Sequence, residues 1–207
     1  MSLRLFVLRH GETAFTRERR FAGWRDVPLT EAGLRQCEAA AVALSGLAVA
    51  AVYASPLERA RTSAEVIAKP HRLPVQVSPA FRELSFGAWE GRTRSDVAVA
   101  EPALYDTWRT APDTFTAPGG ESLAAVAARV AGGIEALRAE HDGDCVVLVT
   151  HAVVIRLIVL DGLGLGPARL WSIDASPAGI TELEYRDDWV TVHRMNTLAH
   201  LGEETVP

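Results

Sequence analysis

The chain has 207 residues, 48% hydrophobic and 23% charged, enough to bury a sizeable core without disulfides and suited to one globular domain over residues 1–207. A net charge of -5 argues against a nucleic-acid surface, though it leaves room for a local basic pocket that binds an anion. Cys37 and Cys145 are too few for a disulfide framework, the N-terminal "MSLRLFVLRHGET" lacks the apolar stretch of a signal sequence, and no run reaches the ~18 apolar residues of a membrane helix, so a cytoplasmic protein with no membrane partner is expected.

The predicted elements alternate. Leu3 to Leu8 is a near-continuous apolar run, the pattern of a strand covered on both faces in a parallel sheet. "PLTEAGLRQCEAAAVALSGL" predicts a helix with Thr30 as its N-cap, ending near Gly46, with Gly33 an awkward residue in its first turn. "AVAAVYAS" predicts a second strand, and "PLERARTSAEVIA" a helix with Pro56 in its first turn. "LPVQVSP" predicts a short third strand. Residues 80–120 break the rhythm with Trp89, Trp108 and the glycines Gly87, Gly91, Gly119 and Gly120. They predict loops around one or two short helices near 94–110, an insert of the kind that forms a lid or binding wall. A long helix begins near Glu121 and Ser122, "CVVLVTH" predicts a fourth buried strand, and "AVVIRLIVLDG" an apolar helix ending at Gly162. The alternation in "GITELEYRDDWVTVHRMN" predicts a closing antiparallel hairpin turning at Asp187–Asp188. The whole predicts an α/β fold with a mostly parallel sheet between helical layers.

In open α/β sheets, ligands bind beyond the carboxyl ends of the strands. The first strand ends in Arg9-His10-Gly11, the second in Ser55 with Arg59 and Arg61 a turn later, and the fourth in Thr150-His151. Two imidazoles and several guanidiniums therefore meet at one sheet edge. A histidine nitrogen is a competent nucleophile near neutral pH, and guanidinium forks match the charged oxygens of a phosphoryl group. A leaving alkoxide also needs a proton donor, for which Glu12, Glu83, Glu90 and Glu121 are candidates. Taken singly these features are weak. His71, His141, His193 and His200 read as structural, Arg61 as a solvated helix face, and "GLGLG" at 162–166 as a helix stop.

In order along the chain, "LRHGET", "FAGWRDVPLTEAG", "SPLERARTSAE", "FRELSFGAWEG", "GGES" and "VTHAVVIR" resemble the histidine phosphatase superfamily, in its phosphoglycerate mutase-like branch. The resemblance covers roughly residues 3–160. It implies a three-layer α/β/α sandwich with a mixed, mostly parallel sheet and a cap inserted at about 80–120. It implies that His10 is the phosphorylated nucleophile, that Arg9, Arg59 and His151 bind the phosphoryl group, and that Glu83 is the general acid and then the base for water. Arg59 rather than Arg61 is implied because it directly precedes Ala60. No metal and no cofactor are implied. Thr16, Gly23, Ala152, Arg17 and Trp24 are expected on the substrate side, with Phe15, Arg20, Trp89, Arg92 and Trp108 as further wall.

Three positions depart from the family pattern: Phe15-Thr16 replaces an aromatic-Asn pair, Ala22 a hydroxyl residue, and Ala152 a glycine. "ELSFGAWEG" resembles the phosphatase-type members, and a short lid that admits water favours hydrolysis. The expected activity is metal-independent hydrolysis of a small phosphorylated metabolite by a monomer or homodimer. Mutase-type phosphoryl transfer, phosphoprotein hydrolysis and a non-catalytic binding module of the same fold are the alternatives.

Overall fold

Strand β1 (Ser2–Arg9) lies in the middle of a six-stranded sheet of order β3-β2-β4-β1-β5-β6, formed with β2 (Val49–Ala54), β3 (Val75–Val77), β4 (Cys145–Thr150), β5 (Ile180–Arg186) and β6 (Trp189–Thr197). The structure is a computed structural model that describes residues 2–202. β3, β2, β4 and β1 run parallel, while β5 and β6 close the sheet antiparallel. The alternation around "RDD" thus forms the expected hairpin.

The apolar run of β1 is covered twice. Leu3, Leu5 and Val7 pack with residues of α6 (Leu123–Glu140) and α7 (Ala152–Gly162). Phe6 and Leu8 point the other way and pack with α2 (Glu31–Leu44) and α3 (Glu58–Ala68). Side chains alternate across a strand, so a sheet with helices on both faces needs apolar residues at every position. Each fully buried leucine or valine contributes about 1.5–3 kcal/mol. The result is a three-layer α/β/α sandwich with a mixed, mostly parallel sheet. Among the described residues no helix is long and apolar enough to cross a membrane.

The helix starts follow their caps. The Thr30 hydroxyl accepts the amide of Gly33 at 3.0 Å, and Ser122 accepts that of Ala125 at 3.2 Å. The proline helix begins later than its sequence suggests. Pro56 and Leu57 stay outside, and α3 starts at Glu58, whose amide is taken by Asp26 Oδ1 at 2.8 Å. Residues 80–120 hold α4 (Arg94–Ala100) and α5 (Pro102–Thr110) between irregular stretches, and the remaining short helix, α1 (Ala14–Arg17), follows β1.

Gly33 has a positional reason. After β1 the chain passes so close to the first turn of α2 that a Cβ on Gly33 would lie 2.1 Å from the Glu12 carbonyl oxygen, and one on Gly11 2.3 Å from that of Gly33. Two glycines face each other where backbone meets backbone. Gly11→Ala is expected to destabilise the fold by about 1–3 kcal/mol, lowering Tm by roughly 2–12 °C. An unchanged melting curve would show that the turn relaxes around a methyl group.

Candidate active site

The β1–β4 register pairs Arg9 with Thr150, and the β2–β4 register pairs Ala54 with Val149. Three adjacent parallel strands therefore end level. His10 N–H donates to Thr150 O at 3.0 Å, and Ser55 N–H to Val149 O at 3.0 Å. That level edge sets His10 beside His151, ring centroids 5.2 Å apart and edge to face.

His10 is 4% exposed. Its Nδ1 lies 2.7 Å from the Gly11 carbonyl oxygen. A carbonyl only accepts, so Nδ1 carries the hydrogen and Nε2 is left as the lone-pair nitrogen. Burial first, then the charges of Arg59 and Arg9, hold this imidazole well below its usual value, and the Gly11 bond opposes them only weakly. His10 is therefore a neutral base with a bare Nε2. The Nε–H of Arg59 donates to that nitrogen at 3.2 Å.

His151 is 0% exposed. Ser55 Oγ lies 2.7 Å from its Nε2, and its Nδ1 is buried without a hydrogen-bond partner. Burial, then Arg59, His10 and Arg9, lower its pKa well below the usual range. Without a bound anion this ring is therefore neutral.

Arg9 and Arg59 are held by carbonyl oxygens rather than by carboxylates, while Arg156 has Asp174 Oδ1 at 3.9 Å besides its carbonyl partner. Arg59, 1% exposed on α3, donates Nη1–H to Arg25 O at 2.7 Å and Nη2–H to Gly23 O at 2.8 Å. Arg9 donates to Ala175 O at 2.7 Å, and burial lowers it to about 10. Arg156, on α7, donates to Ile173 O at 2.8 Å. The buried carboxylate facing them is Glu83. Its Oε1 accepts the Leu84 amide at 2.9 Å, but desolvation dominates and pushes its pKa up. Glu83 thus tends to hold a proton that an ordinary surface glutamate would have lost.

These groups surround a cavity of about 210 Å³. Of the residues singled out in the sequence, Arg9, His10, Arg59, Glu83, Thr16, Gly23, Ala152, Phe15, Arg20 and Trp108 line it. His151 stands directly behind His10, without cavity surface of its own. Arg17 and Trp24 do not line the cavity. Arg17 is exposed on α1, and the Trp24 indole donates to Glu83 O at 2.8 Å beneath the Arg82 guanidinium, so it braces the glutamate backbone from outside. Trp89 is core, fully buried against Phe21 and Phe115, and Arg92 is committed to Glu101 at 2.5 Å. Arg61 faces solvent.

Sequence reasoning missed Arg19, Phe21, Phe86, Arg94, Val153, Arg156 and Trp171, all in the lining. Arg156 could have been found, because on a helix starting at Ala152 it shares a face with Ala152 and Val153. Trp171 and Arg94 reach the site by long-range folding, for which the local sequence carries no signal. Thr16 spends its hydroxyl on Thr13 Oγ1 at 3.0 Å. Among the described residues no group of three or more His, Cys, Asp or Glu is placed to hold a metal ion.

Comparison with known proteins fits this geometry. The chain is 34% identical over 200 residues to the bifunctional protein Rv2228c of Mycobacterium tuberculosis, covering 96% of this chain but only 55% of that protein. It therefore spans about half the length of that relative. It is 30% identical over 201 residues to phosphoserine phosphatase 1 of Hydrogenobacter thermophilus, covering 97% of this chain and 95% of the other. The solved structure of YhfR from Bacillus stearothermophilus superposes with a TM-score of 0.91 at 28% identity, covering 96% of this chain and 99% of that one. The family model for the histidine phosphatase superfamily (branch 1) matches residues 5–198, and the chain belongs to that superfamily.

Proposed function

We propose that the protein is a phosphatase that hydrolyses a small phosphomonoester, without a metal ion, through a phosphohistidine on His10. One observation carries this reading: the bare Nε2 of His10, fixed by the Gly11 carbonyl, stands in a cavity lined by guanidiniums. Nε2 attacks phosphorus as the ester P–O bond breaks, and Glu83 gives its proton to the leaving oxygen. Glu83 then takes a proton from water, the water oxygen attacks phosphorus, and the P–N bond breaks to restore His10 and release phosphate. The raised pKa of Glu83 suits the first role and the depressed pKa of His10 keeps the nucleophile unprotonated.

Arg59 has a dual part. Its Nε–H sits on the His10 lone pair and turns to a phosphoryl oxygen once that nitrogen bonds phosphorus. Arg9 supplies further donors, and the unpartnered Nδ1 of His151 joins them once the bound anion draws that ring from its place against His10. Residues 80–120 act as the cap over this site, and the chain works as one domain. Phosphatases among the relatives support hydrolysis over transfer, and a cytoplasmic setting suits the substrate class.

Three outcomes test the reading. His10→Ala is expected to lower phosphate release from a panel of phosphomonoesters in EDTA by on the order of 10⁴-fold or more. An acid-labile phosphoenzyme persisting in that variant would overturn the nucleophile. Glu83→Gln is expected to slow alkyl esters by about 10²–10⁴-fold and nitrophenyl phosphate far less, since nitrophenolate leaves without a proton. Equal losses on both would remove Glu83 from the acid role.

The third is a pH effect. His10 and His151 have folded pKa values below the usual 6.5, so as pH falls below 6.5 the unfolded chain takes up protons that the folded chain refuses. Stability is fully present above pH 6.5 and is lost on acidification, by at most about 1.4 kcal/mol per pH unit for each imidazole. Glu83, raised, acts with the opposite sign over its own window. The urea midpoint of His10→Ala is therefore expected to drop less than that of the wild type between pH 7 and 5.5. Parallel drops would show that His10 titrates normally.

A further inference from the structure

The cavity does not end at the phosphoryl site. Arg94, Trp108 and Trp171 belong both to its lining and to that of an adjoining lobe of about 260 Å³, which Tyr105 and Arg109 complete. The wall of this lobe is fixed: Trp171 packs edge to face on Trp108 at 4.8 Å and donates its indole N–H to Trp108 O at 2.9 Å. Arg156 stacks on the other side of Trp171, 5.0 Å from its ring.

Charge is the informative feature. The two joined spaces are lined by seven arginines and one carboxylate, Glu83, which lies at the His10 end. A single phosphate dianion satisfies the arginines beside His10. Of the others, Arg20 is paired with Glu18, and among the described residues Arg19, Arg94 and Arg109 make no side-chain hydrogen bond or ion pair; Arg94 and Arg109 are the two that line the adjoining lobe. In a chain of net charge -5, two unpaired guanidiniums lining one lobe with an aromatic wall make an anion site.

We propose that the lobe binds a second anionic group of the substrate, so that the substrate class is a phosphomonoester bearing a carboxylate or a further phosphate, with Arg94 and Arg109 as its specificity determinants. This rests on the reading that the phosphoryl group is accepted at His10. The aromatic wall covers the apolar part of the substrate between its two charges, and the anion's oxygens take the guanidinium hydrogens.

The test compares phenyl phosphate with 3-carboxyphenyl phosphate and 1,3-phenylene bisphosphate, in wild type and in the double variant Arg94→Gln/Arg109→Gln. Wild type is expected to prefer one or both probes that bear the second anionic group by roughly tenfold or more in kcat/KM, carried by KM. Which probe is favoured identifies carboxylate or phosphate. In the double variant the ratio to phenyl phosphate is expected to fall to about 1. Turnover of all three at equal efficiency by the wild type, or a preference that survives in the double variant, would overturn the second-anion site. Failure to hydrolyse any of the three would instead count against the phosphatase reading. Both arginines are exposed, so thermal melting of the variant serves as the control for folding.

Discussion

The parallel pairing of β4 with its two neighbours is the constraint on which the site depends. A strand register is a discrete choice, and a slip of one residue turns every side chain to the opposite face. With Arg9 opposite Thr150 and Ala54 opposite Val149, the chain leaves all three strands at one level. His10, Ser55 and His151 then touch without any side chain having to reach. The register is held by the two apolar faces of β1, each committed to a different helical layer. Stability of the core and placement of the imidazoles are therefore one property. The Gly11–Gly33 contact extends it, because it brings the turn after His10 against α2 and leaves Gly11 N–H bonded to Ser63 Oγ on α3.

That placement concentrates positive charge. Arg59 is buried and Arg9 and Arg156 are half-buried, and desolvation lowers the pKa of each. Removing charges from water costs several kcal/mol per ion unless partners compensate. Here the hydrogen-bond partners are the carbonyl oxygens of Gly23, Arg25, Ile173 and Ala175, and of the three arginines Arg156 alone also has a carboxylate among the described residues, Asp174 at 3.9 Å. Carbonyl dipoles satisfy N–H groups and fix the direction of each guanidinium, yet they leave its charge uncancelled. A floor built this way keeps a positive potential for an anion, where salt bridges would have spent it. The same potential adds to burial in depressing both imidazoles, so the charges that favour an anion also help to keep His10 neutral.

Much of this was legible in the sequence because it is local. Apolar runs gave the strands, Thr30 and Ser122 the helix starts, and the polar residues ending three runs gave His10, Arg59 and His151. What was hidden depends on distant partners. Pro56 looked like a helix start, but α3 begins where Asp26, remote in sequence, takes the Glu58 amide. Trp89 looked like a binding wall, but its indole reaches Glu101 Oε2 at 3.0 Å and its ring fills the space between Phe21 and Phe115. An aromatic residue in a loop reads the same whether it faces a ligand or a core. Trp24 shows the reverse: exposed, yet bound to the Glu83 carbonyl.

The acid and the cation are located by one scaffold. Glu90 Oε1 accepts the amides of Trp24 at 3.0 Å and Phe86 at 3.1 Å, tying the 22–25 loop to the segment that follows Glu83. The carbonyls of that loop hold Arg59. On the other side Arg129 donates to the carbonyls of Ala80, Arg82 and Glu83, and Glu121, paired with Arg129 at 3.0 Å, accepts the Ser85 amide. Glu83 is thus gripped before, at and after its own peptide. In the proposed reaction the general acid must hold its distance to the leaving oxygen to a fraction of an ångström while the phosphoryl group stays on its arginines. Two glutamates suggested by the sequence as proton donors, Glu90 and Glu121, are spent on fixing that distance. Their carboxylates are committed to backbone amides and to Arg129, which leaves Glu83 the carboxyl group in the cavity lining, as the proposed acid role requires.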